Sequence, residues 1–286
     1  MPNNQKHQIY FIDCREGLEK LPDQSIDLVV SGPPYFDHIV YSKDEKNLST
    51  KNYQDFLRDI SEVWEKLERK LKDGGIVAIW LHDIYVKKED HFELISFHSD
   101  IIKTFPEDLA LRQIVIWDRY LKKIYTDLPK EEQFGARFQY ILVFSKGKTA
   151  YEKKLKDFYW KPVWYFKTMP RFLGLKMLYH IVFFFGKIFY LQKILNPIFS
   201  QVKKVLLQDK YKFRGYQTTC PPELAQMLIK IFSKKEDTVC DPFLGSGTTL
   251  KVTNKLKRRC VGFEINKDAR KMILEKISSK NVEVFE

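Results

Sequence analysis

The sequence predicts an α/β protein built around a mostly parallel β-sheet with helices on both faces. Short apolar strands alternate with segments of helical spacing in both halves of the chain. Two of the predicted strands run directly into loops rich in proline or glycine, at 31–35 and at 241–247. The 286 residues are 44% hydrophobic, which suffices for one large domain or for one domain with a sizeable insertion.

The N-terminal half carries most of the predicted strands. Arg15–Leu21 predicts a short helix, and the apolar residues between Tyr53 and Leu71 recur with the spacing of a long helix. Asp73-Gly74-Gly75 predicts the end of that helix. The strands predicted in this half are Gln8–Ile12, Asp27–Val30, Ile76–Leu81, Leu111–Trp117 and Gln139–Phe144.

Regular structure is predicted again near residue 221. Pro221-Pro222-Glu223 suits a first helical turn, where an amide proton would lack a partner, and the helix continues over Leu224–Phe232. Strands are predicted at Thr238–Cys240 and Cys260–Phe263, with a glycine turn and a helix between them. The predicted final helix is Asp268–Ile277.

Positive charge is concentrated in one segment. The chain has a formal charge of +12, and residues 146–214 contain sixteen Lys and Arg against three acidic residues, a local charge of +13. The rest of the chain is nearly neutral. A localised basic block indicates a surface for a polyanion, and the alternative is a solvated lysine-rich face.

The four cysteines contain no C-x-x-C pair, so neither a zinc site nor a disulfide framework is predicted, and the thiols suit a reducing compartment such as the cytoplasm. Residues 1–8 lack an apolar signal segment. The apolar stretch Leu173–Phe199 is interrupted by lysines, and its uncharged runs are far shorter than a membrane span needs. We therefore expect a buried or interfacial helix there, and no membrane role.

A glycine loop follows the strand predicted at 238–240. Residues 241–249 read Asp-Pro-Phe-Leu-Gly-Ser-Gly-Thr-Thr, and Glu264 ends the next strand. Glycines let a backbone approach a ligand, and an acidic residue at that place commonly binds ribose hydroxyls. Asp241 would repel a phosphate but suits an ammonium group. An ammonium, a carboxylate and a ribose together describe S-adenosylmethionine; the alternative is an ordinary helix start followed by an exposed Glu.

These strings resemble the cofactor motifs of the amino-methyltransferases that modify DNA. The resemblance implies that Glu264 holds the cofactor's ribose. The segment Thr219–Pro222 resembles the helix start that precedes the motif in this family. The residues that the resemblance places around the methionine part of S-adenosylmethionine are Asp241, Phe243, Gly245, Ser246, Gly247 and Thr248.

The loop at residues 31–35, Ser-Gly-Pro-Pro-Tyr, resembles the catalytic loop of the same family. An exocyclic amino nitrogen is a poor nucleophile, and acceptors placed against its N–H bonds direct its lone pair at a methyl sulfonium. Pro33 and Pro34 rigidify the loop and leave the Pro33 carbonyl as an acceptor. Tyr35 is suited to stack on a base swung out of the duplex. A plain Pro-Pro turn is the alternative.

The residue before Pro-Pro departs from the family's usual Asp, Asn or Ser. Gly32 has no side-chain acceptor, so the oxygen would come from Ser31 or from backbone carbonyls alone. A serine beside Pro-Pro-Tyr is more similar to cytosine-N4 enzymes, whereas Asp or Asn is more similar to adenine-N6 enzymes. The glycine also leaves open a catalytically weakened DNA-binding protein. We expect Gly32→Ser to be tolerated unless residue 32 needs a positive φ.

The order of the motifs resembles the β group of DNA amino-methyltransferases, which includes type II restriction-modification methylases. This implies a Rossmann-like methyltransferase sheet, circularly rearranged, formed by residues 1–149 and 213–286, with a target-recognition insert at 150–212. Asp13 resembles the family's acidic residue near the cofactor's adenine. The implied activity is site-specific methylation of cytosine N4 in duplex DNA. A cognate restriction endonuclease and a second copy of the chain are candidate partners.

Overall fold

The computed structural model describes residues 6–36, 44–87, 89–118, 138–151, 163–165, 220–277 and 281–286. All of them belong to one compact unit formed by residues 1–166 and 219–286. Most of the predicted insert, including the apolar stretch Leu173–Phe199, lies outside the described residues. The division of the chain at 150 and 212 therefore stays a prediction.

The described residues contain eleven strands, most of them short and apolar. They are β1 (His7–Tyr10), β2 (Ile26–Ser31), β3 (Leu71–Leu81), β4 (Ile84–Lys87), β5 (Phe92–Ile95), β6 (Leu109–Asp118), β7 (Phe138–Lys146), β8 (Val163–Tyr165), β9 (Thr238–Asp241), β10 (Arg259–Phe263) and β11 (Val282–Phe285). Nine of them form one sheet in the order β11-β1-β10-β9-β2-β3-β7-β6-β8, and β4 pairs with β5 in a separate hairpin.

The large sheet is mostly parallel, as the sequence predicts. Strand β7 runs antiparallel to both of its neighbours, β3 and β6, and every other pairing in the sheet is parallel. Strand β8 comes from the predicted insert and forms one edge of the sheet, where it pairs with β6. The Rossmann-like α/β fold class is confirmed.

Six helices are described: α1 (Cys14–Glu19), α2 (Tyr53–Lys70), α3 (Phe97–Lys103), α4 (Pro222–Phe232), α5 (Thr248–Lys255) and α6 (Arg270–Leu274). Helix α2 begins where the Asn52 side chain accepts a hydrogen bond from the Asp55 amide, which satisfies a free N–H of the first turn. Its apolar stripe, which includes Phe56 and Trp64, is fully buried.

The core lies on both faces of the sheet, since alternate residues of a strand point to opposite sides. On β3, Val77 and Ile79 belong to the cluster that contains the buried face of α2. Ala78 and Trp80 belong to the opposite cluster, with Leu224 of α4. Helices thus cover both faces, and the long α2 and α4 are held by their apolar sides.

The strand order reverses between β9 and β2. Strands β10 and β1 follow β9 on one side, and β3 follows β2 on the other. Leu28 pairs with Val239 and Val29 with Cys240, so β2 and β9 run side by side and end at the same edge. Parallel sheets leave a crevice at the carboxyl ends of the strands where the order reverses, and ligands bind there.

The structure corrects one predicted boundary. Asp73-Gly74-Gly75 does not separate the long helix from the next strand, because α2 ends at Lys70 and β3 begins at once with Leu71. The pairing of β2 with β3 shifts register between Ile26 and Leu28, opposite this glycine segment, and Gly74 has a φ of +75°. The glycines therefore form an irregularity inside the strand and do not mark the end of the helix.

Some short elements escape the sequence patterns. The hairpin of β4 and β5, helix α3 and the edge strand β11 were not predicted. The predicted final helix at Asp268–Ile277 is a 3₁₀ turn, Lys267–Ala269, followed by the short α6. Segments of four to seven residues are too short for the spacing of their apolar residues to identify a helix or a strand. Their secondary structure depends on contacts with neighbouring strands.

The four cysteines are free thiols in buried positions. Among the residues that the structure describes, no helix combines the length and apolar character required to cross a bilayer.

Candidate active site

The loops after β2 and β9 meet at the reversal of strand order. The Ser31 side chain is fully buried, and its Oγ donates a hydrogen bond of 2.6 Å to Asp241 Oδ1. Ser31 ends β2 and Asp241 ends β9, so two segments 210 residues apart in sequence are joined by one buried bond. The structure thereby brings the two sequence motifs together.

Asp241 is a buried carboxyl at the end of β9, where the strand order reverses. Besides the Ser31 hydroxyl, the Phe243 amide donates to Asp241 Oδ1 at 3.1 Å. Burial raises the pKa of Asp241 to about 6, although the hydrogen bonds from Ser31, Thr249 and Phe243 oppose that rise. A carboxylate held there near neutral pH favours a cationic ligand group, which would replace the lost hydration.

Glu264 follows β10, and its carboxylate joins the loop after β9 to the loop after β10. Its Oε2 accepts a hydrogen bond from the Gly245 amide at 2.7 Å, and its Oε1 accepts one from the Asn266 amide at 2.8 Å. Burial raises its pKa to about 7, and the two amides and the nearby Asp241 charge modify that shift. The carboxylate is fixed in position by backbone, which is the arrangement required to receive a pair of hydroxyls.

The loop between β9 and α5 depends on glycine. Gly245 and Gly247 have φ values of +54° and +78°, a region that other residues rarely adopt. Gly247 precedes the first turn of α5, which begins at Thr248. Ser246 Oγ lies 3.3 Å from Thr248 Oγ1, and the Lys276 ammonium donates to the Ser246 carbonyl. These contacts fix the loop directly before the start of α5.

Phe243 and Asp13 have structural partners in addition to their predicted roles. The Phe243 ring meets the buried Trp64 edge to face, with centroids 6.2 Å apart. The Asp13 carboxylate accepts from the Arg15 amide at the start of α1 and from the Arg15 guanidinium, each at 2.7 Å. Asp13 is buried, and both of its carboxylate oxygens already accept hydrogen bonds from Arg15. Its contact with a cofactor stays a prediction.

The catalytic loop predicted after β2 carries Pro33, Pro34 and Tyr35. The Tyr35 ring is 5% exposed and stacks on His82, with centroids 4.3 Å apart and ring planes 24° apart. Phe97 meets it at 5.9 Å. The loop is therefore held by aromatic packing at its end, and His82 is a neighbour of this loop that no sequence pattern identified.

Gly32 lies against the indole of Trp80. A Cβ atom at residue 32 would lie 2.7 Å from Trp80 Nε1 and Cε2, and the backbone of Gly32 does not have a positive φ. Contacts below 3.0 Å require a shift, and a buried indole is not easily moved. The expectation that Gly32→Ser is tolerated is therefore unsupported by the structure. Trp80 could not be found from sequence, since it is one apolar residue of a buried strand.

Taken together, the residues fit S-adenosylmethionine. Two buried carboxyls, Asp241 and Glu264, stand at the carboxyl ends of neighbouring strands, and the glycine loop with the start of α5 lies between them. The first suits an ammonium, the second suits ribose hydroxyls, and the free amides at a helix start suit a carboxylate. Among the described residues, no group of His, Cys, Asp and Glu could hold a metal ion.

Comparison with known proteins agrees with this geometry. Residues 26–275 match a family model described as DNA methylase, of the N6/N4 type. The chain is 28% identical to the type II methyltransferase M.MjaI of Methanocaldococcus jannaschii, covering 96% of this chain and 92% of the relative. It is 26% identical to the type II methyltransferase M.HpaI of Haemophilus parainfluenzae, covering 93% of this chain and 72% of the relative.

Solved structures share the fold at lower sequence identity. PvuII DNA methyltransferase, described as cytosine-N4-specific, superposes with a TM-score of 0.65 at 16% identity, covering 98% of this chain and 89% of the other. The Thermus thermophilus protein TTHA0409, complexed with S-adenosyl-L-methionine, gives a TM-score of 0.62 at 22% identity and covers 98% and 100% of the two chains. At these identities the likeness establishes the fold.

Proposed function

This chain belongs to the N6/N4 DNA methylase family, and from that premise we propose that it transfers a methyl group from S-adenosylmethionine to the N4 amino group of cytosine in duplex DNA. The observation that carries the proposal is the buried hydrogen bond from Ser31 to Asp241. It joins the loop suited to an amino group to the loop suited to the methyl donor. A transfer reaction needs both groups side by side, because reacting atoms must approach within about 3–3.5 Å.

Specific residues would hold the cofactor. Asp241 would bind the methionine ammonium, Glu264 would accept from the ribose hydroxyls, and the amides of the Gly245–Thr248 loop would receive the carboxylate. When bound, S-adenosylmethionine supplies an electrophilic methyl group on a sulfonium. Burial raises the pKa of both carboxyls, and an ammonium beside Asp241 and hydroxyl donors beside Glu264 would favour their ionised forms.

The loop after β2 would act on the target base. Gly32, Pro33 and Pro34 have no polar side-chain atoms, so backbone carbonyls are the acceptors that these residues offer to an amino group. The Ser31 hydroxyl proton is already donated to Asp241. Acceptors held against the amino N–H bonds raise the nucleophilicity of the nitrogen, and the two prolines keep those acceptors in place. Tyr35 is 5% exposed and packs on His82, so its predicted stacking on the base would require the loop to move.

The assignment to cytosine rests on the serine beside Gly-Pro-Pro-Tyr, which is more similar to cytosine-N4 enzymes than to adenine-N6 enzymes. The described specificity of PvuII DNA methyltransferase is consistent with it. The segment with a local charge of +13 would bind DNA phosphates, and the relatives named as type II methyltransferases point to a restriction-modification system with a cognate endonuclease.

Nucleoside mass spectrometry tests the proposal. Purified protein is incubated with duplex DNA and S-adenosylmethionine, and the DNA is then digested to nucleosides. We expect N4-methylcytosine from the wild type and none from Asp241→Asn, which should still bind DNA. N6-methyladenine would refute the cytosine assignment and leave the family unchanged. DNA binding without either product would identify a catalytically weakened member.

A further inference from the structure

The indole of Trp80 takes the space that a side chain at residue 32 would need. An ideal Cβ on Gly32 would lie 2.7 Å from both Nε1 and Cε2 of Trp80 and 2.9 Å from Cζ2. Trp80 is the penultimate residue of β3, the strand next to β2, and the neighbouring Ile79 pairs with Ser31. The nitrogen-bearing edge of the indole therefore faces the backbone of the Pro-Pro-Tyr loop.

This indole presents a donor that has no partner among the described residues. Trp80 is 9% exposed, and within the part of the chain that the structure describes its Nε1 donates no hydrogen bond. The Nε1 atom is not itself fully buried, so it keeps some exposed surface. The N–H of a largely buried tryptophan normally has an acceptor, and for a partly exposed N–H at a candidate site a bound ligand would supply it. The position of this donor beside the loop indicates which ligand would supply the acceptor.

We propose that Trp80 is a specificity-determining residue of the target-base pocket, whose Nε1–H donates to the ring nitrogen beside the amino-bearing carbon of the base. The proposal rests on the proposed methyl transfer and deepens it. In cytosine this nitrogen is N3 and in adenine it is N1, and both are acceptors. Guanine and thymine carry an N–H at the corresponding position and a carbonyl oxygen in place of the amino group.

The loop carbonyls and the indole together thus match one pattern on the Watson–Crick edge. The carbonyls of residues 32–34 accept from an amino group, and the Trp80 N–H donates to the neighbouring ring nitrogen. Guanine and thymine would place an acceptor against acceptors and a donor against a donor. Unpaired and opposed polar groups in a dry pocket are strongly rejected. The absence of a side chain at Gly32 is what lets the indole edge reach this place.

The hydrogen bond from Trp80 Nε1 to the base is tested by combining a protein variant with a modified target base. Single-turnover methyl transfer is measured for wild type and Trp80→Phe on duplex oligonucleotides with cytosine or 3-deazacytosine at the target, at saturating cofactor. We expect the deaza base to slow the wild type by about tenfold or more, since one acceptor is lost. Trp80→Phe should be slower on cytosine and should no longer distinguish the two bases. If adenine is the target, 1-deazaadenine replaces the cytosine analogue.

A double-mutant cycle tests whether the Trp80 indole excludes a side chain at residue 32. It also keeps the proposal testable if one variant misfolds. Gly32→Ala should slow transfer by about a hundredfold, as small displacements of reacting groups do, with little change in cofactor affinity. Gly32→Ala with Trp80→Leu should be at least about tenfold faster than Gly32→Ala alone, because the steric conflict is removed. Gly17→Ala is the control, because it crowds Phe263 instead and Trp80→Leu should not relieve it.

Two results would overturn the proposal: a wild type equally fast on both bases, or a Trp80→Phe variant that still discriminates between them. If Gly32→Ala and Trp80→Leu change the rate by independent factors that multiply in the double variant, the steric argument for the proposal fails. A wild type that transfers no methyl group to any DNA would instead refute the proposed function itself.

Discussion

Ser31→Ala is expected to weaken cofactor binding in a pH-dependent way, in addition to slowing methyl transfer. The motif alone predicts only the slower transfer, since it suggests that the serine oxygen faces the target amino group. In the structure the Ser31 hydroxyl donates to Asp241 at 2.6 Å, and both side chains are buried. The substitution therefore removes a stabilising partner of the carboxylate that we assign to the cofactor's ammonium.

The magnitude follows from the carboxyl's environment. A hydrogen bond to a charged group contributes about 1.5–3 kcal/mol, and about 1.4 kcal/mol corresponds to one pKa unit. The pKa of Asp241, about 6 in the wild type, should therefore rise by about one unit or more. Because the ammonium needs the ionised carboxylate, affinity is lost as pH falls through this pKa. Ser31→Ala shifts this loss of affinity to higher pH. Relative to the wild type, the variant should bind the cofactor about fivefold more weakly at pH 6 and within about twofold of the wild-type affinity at pH 8.

Calorimetric titration with S-adenosylmethionine between about pH 5.5 and 8.5 measures this effect, since that range spans both expected pKa values. Ser145→Ala is the matched control, because Ser145 is also fully buried in the sheet but donates to the Gly147 carbonyl at 2.9 Å. The control should keep the wild-type profile. The reasoning fails if Ser31→Ala, folded, shows an unshifted pH profile, or if its loss of affinity is the same at every pH.

Three further predictions concern the same machinery. Glu264→Ala should lose about 10- to 100-fold in cofactor affinity with DNA affinity unchanged, since a buried charge-assisted acceptor is removed; unchanged calorimetric affinity would contradict the assignment. The raised pKa of Glu264, about 7, means that the folded state binds an extra proton, so stability is present below the unfolded pKa near 4.5 and is lost as pH rises through 7. The free energy of unfolding of the wild type relative to Glu264→Ala should therefore fall by about 3 kcal/mol between pH 4 and pH 8 in urea titrations; a constant difference would argue against a protonated Glu264. DNA affinity should drop about a thousandfold between 50 and 200 mM salt if the basic segment contacts six or more phosphates, and a flat profile would assign that segment another role.

The long helices and strands were predictable because their apolar residues recur at a regular spacing over enough residues. The apolar spacing of Tyr53–Leu71 matches α2 closely, and the strands that end in Ser31 and Asp241 were placed within two residues. The hairpin of β4 and β5 was not predicted, because four-residue strands contain too little periodicity to distinguish them from loop. Asp73-Gly74-Gly75 was predicted to end the long helix, whereas these residues lie inside β3, which pairs with β2.

Within the candidate site, the sequence predicted residues of specific chemistry and missed the side chains that they contact. Asp241, Glu264 and the glycines of the loop stand in strings that are characteristic by themselves. His82 and Trp80 belong to no motif, yet the first stacks on Tyr35 and the second limits the size of residue 32. Such contacts join separate strands, and a single sequence contains no record of which strands are neighbours.

The sequence alone determined the fold class, the two motifs and the chemistry that they suit, because those properties depend on residue type and local spacing. The tertiary structure decided how the motifs act on each other. It placed the ends of β2 and β9 side by side, so that the Ser31 hydroxyl is directed to Asp241 rather than left free for a base. It also placed Trp80 over Gly32, so that a residue that looks like a missing acceptor is a position where packing leaves no room for a side chain. Both outcomes depend on the order of strands in the sheet, which brings together residues that are far apart in the chain.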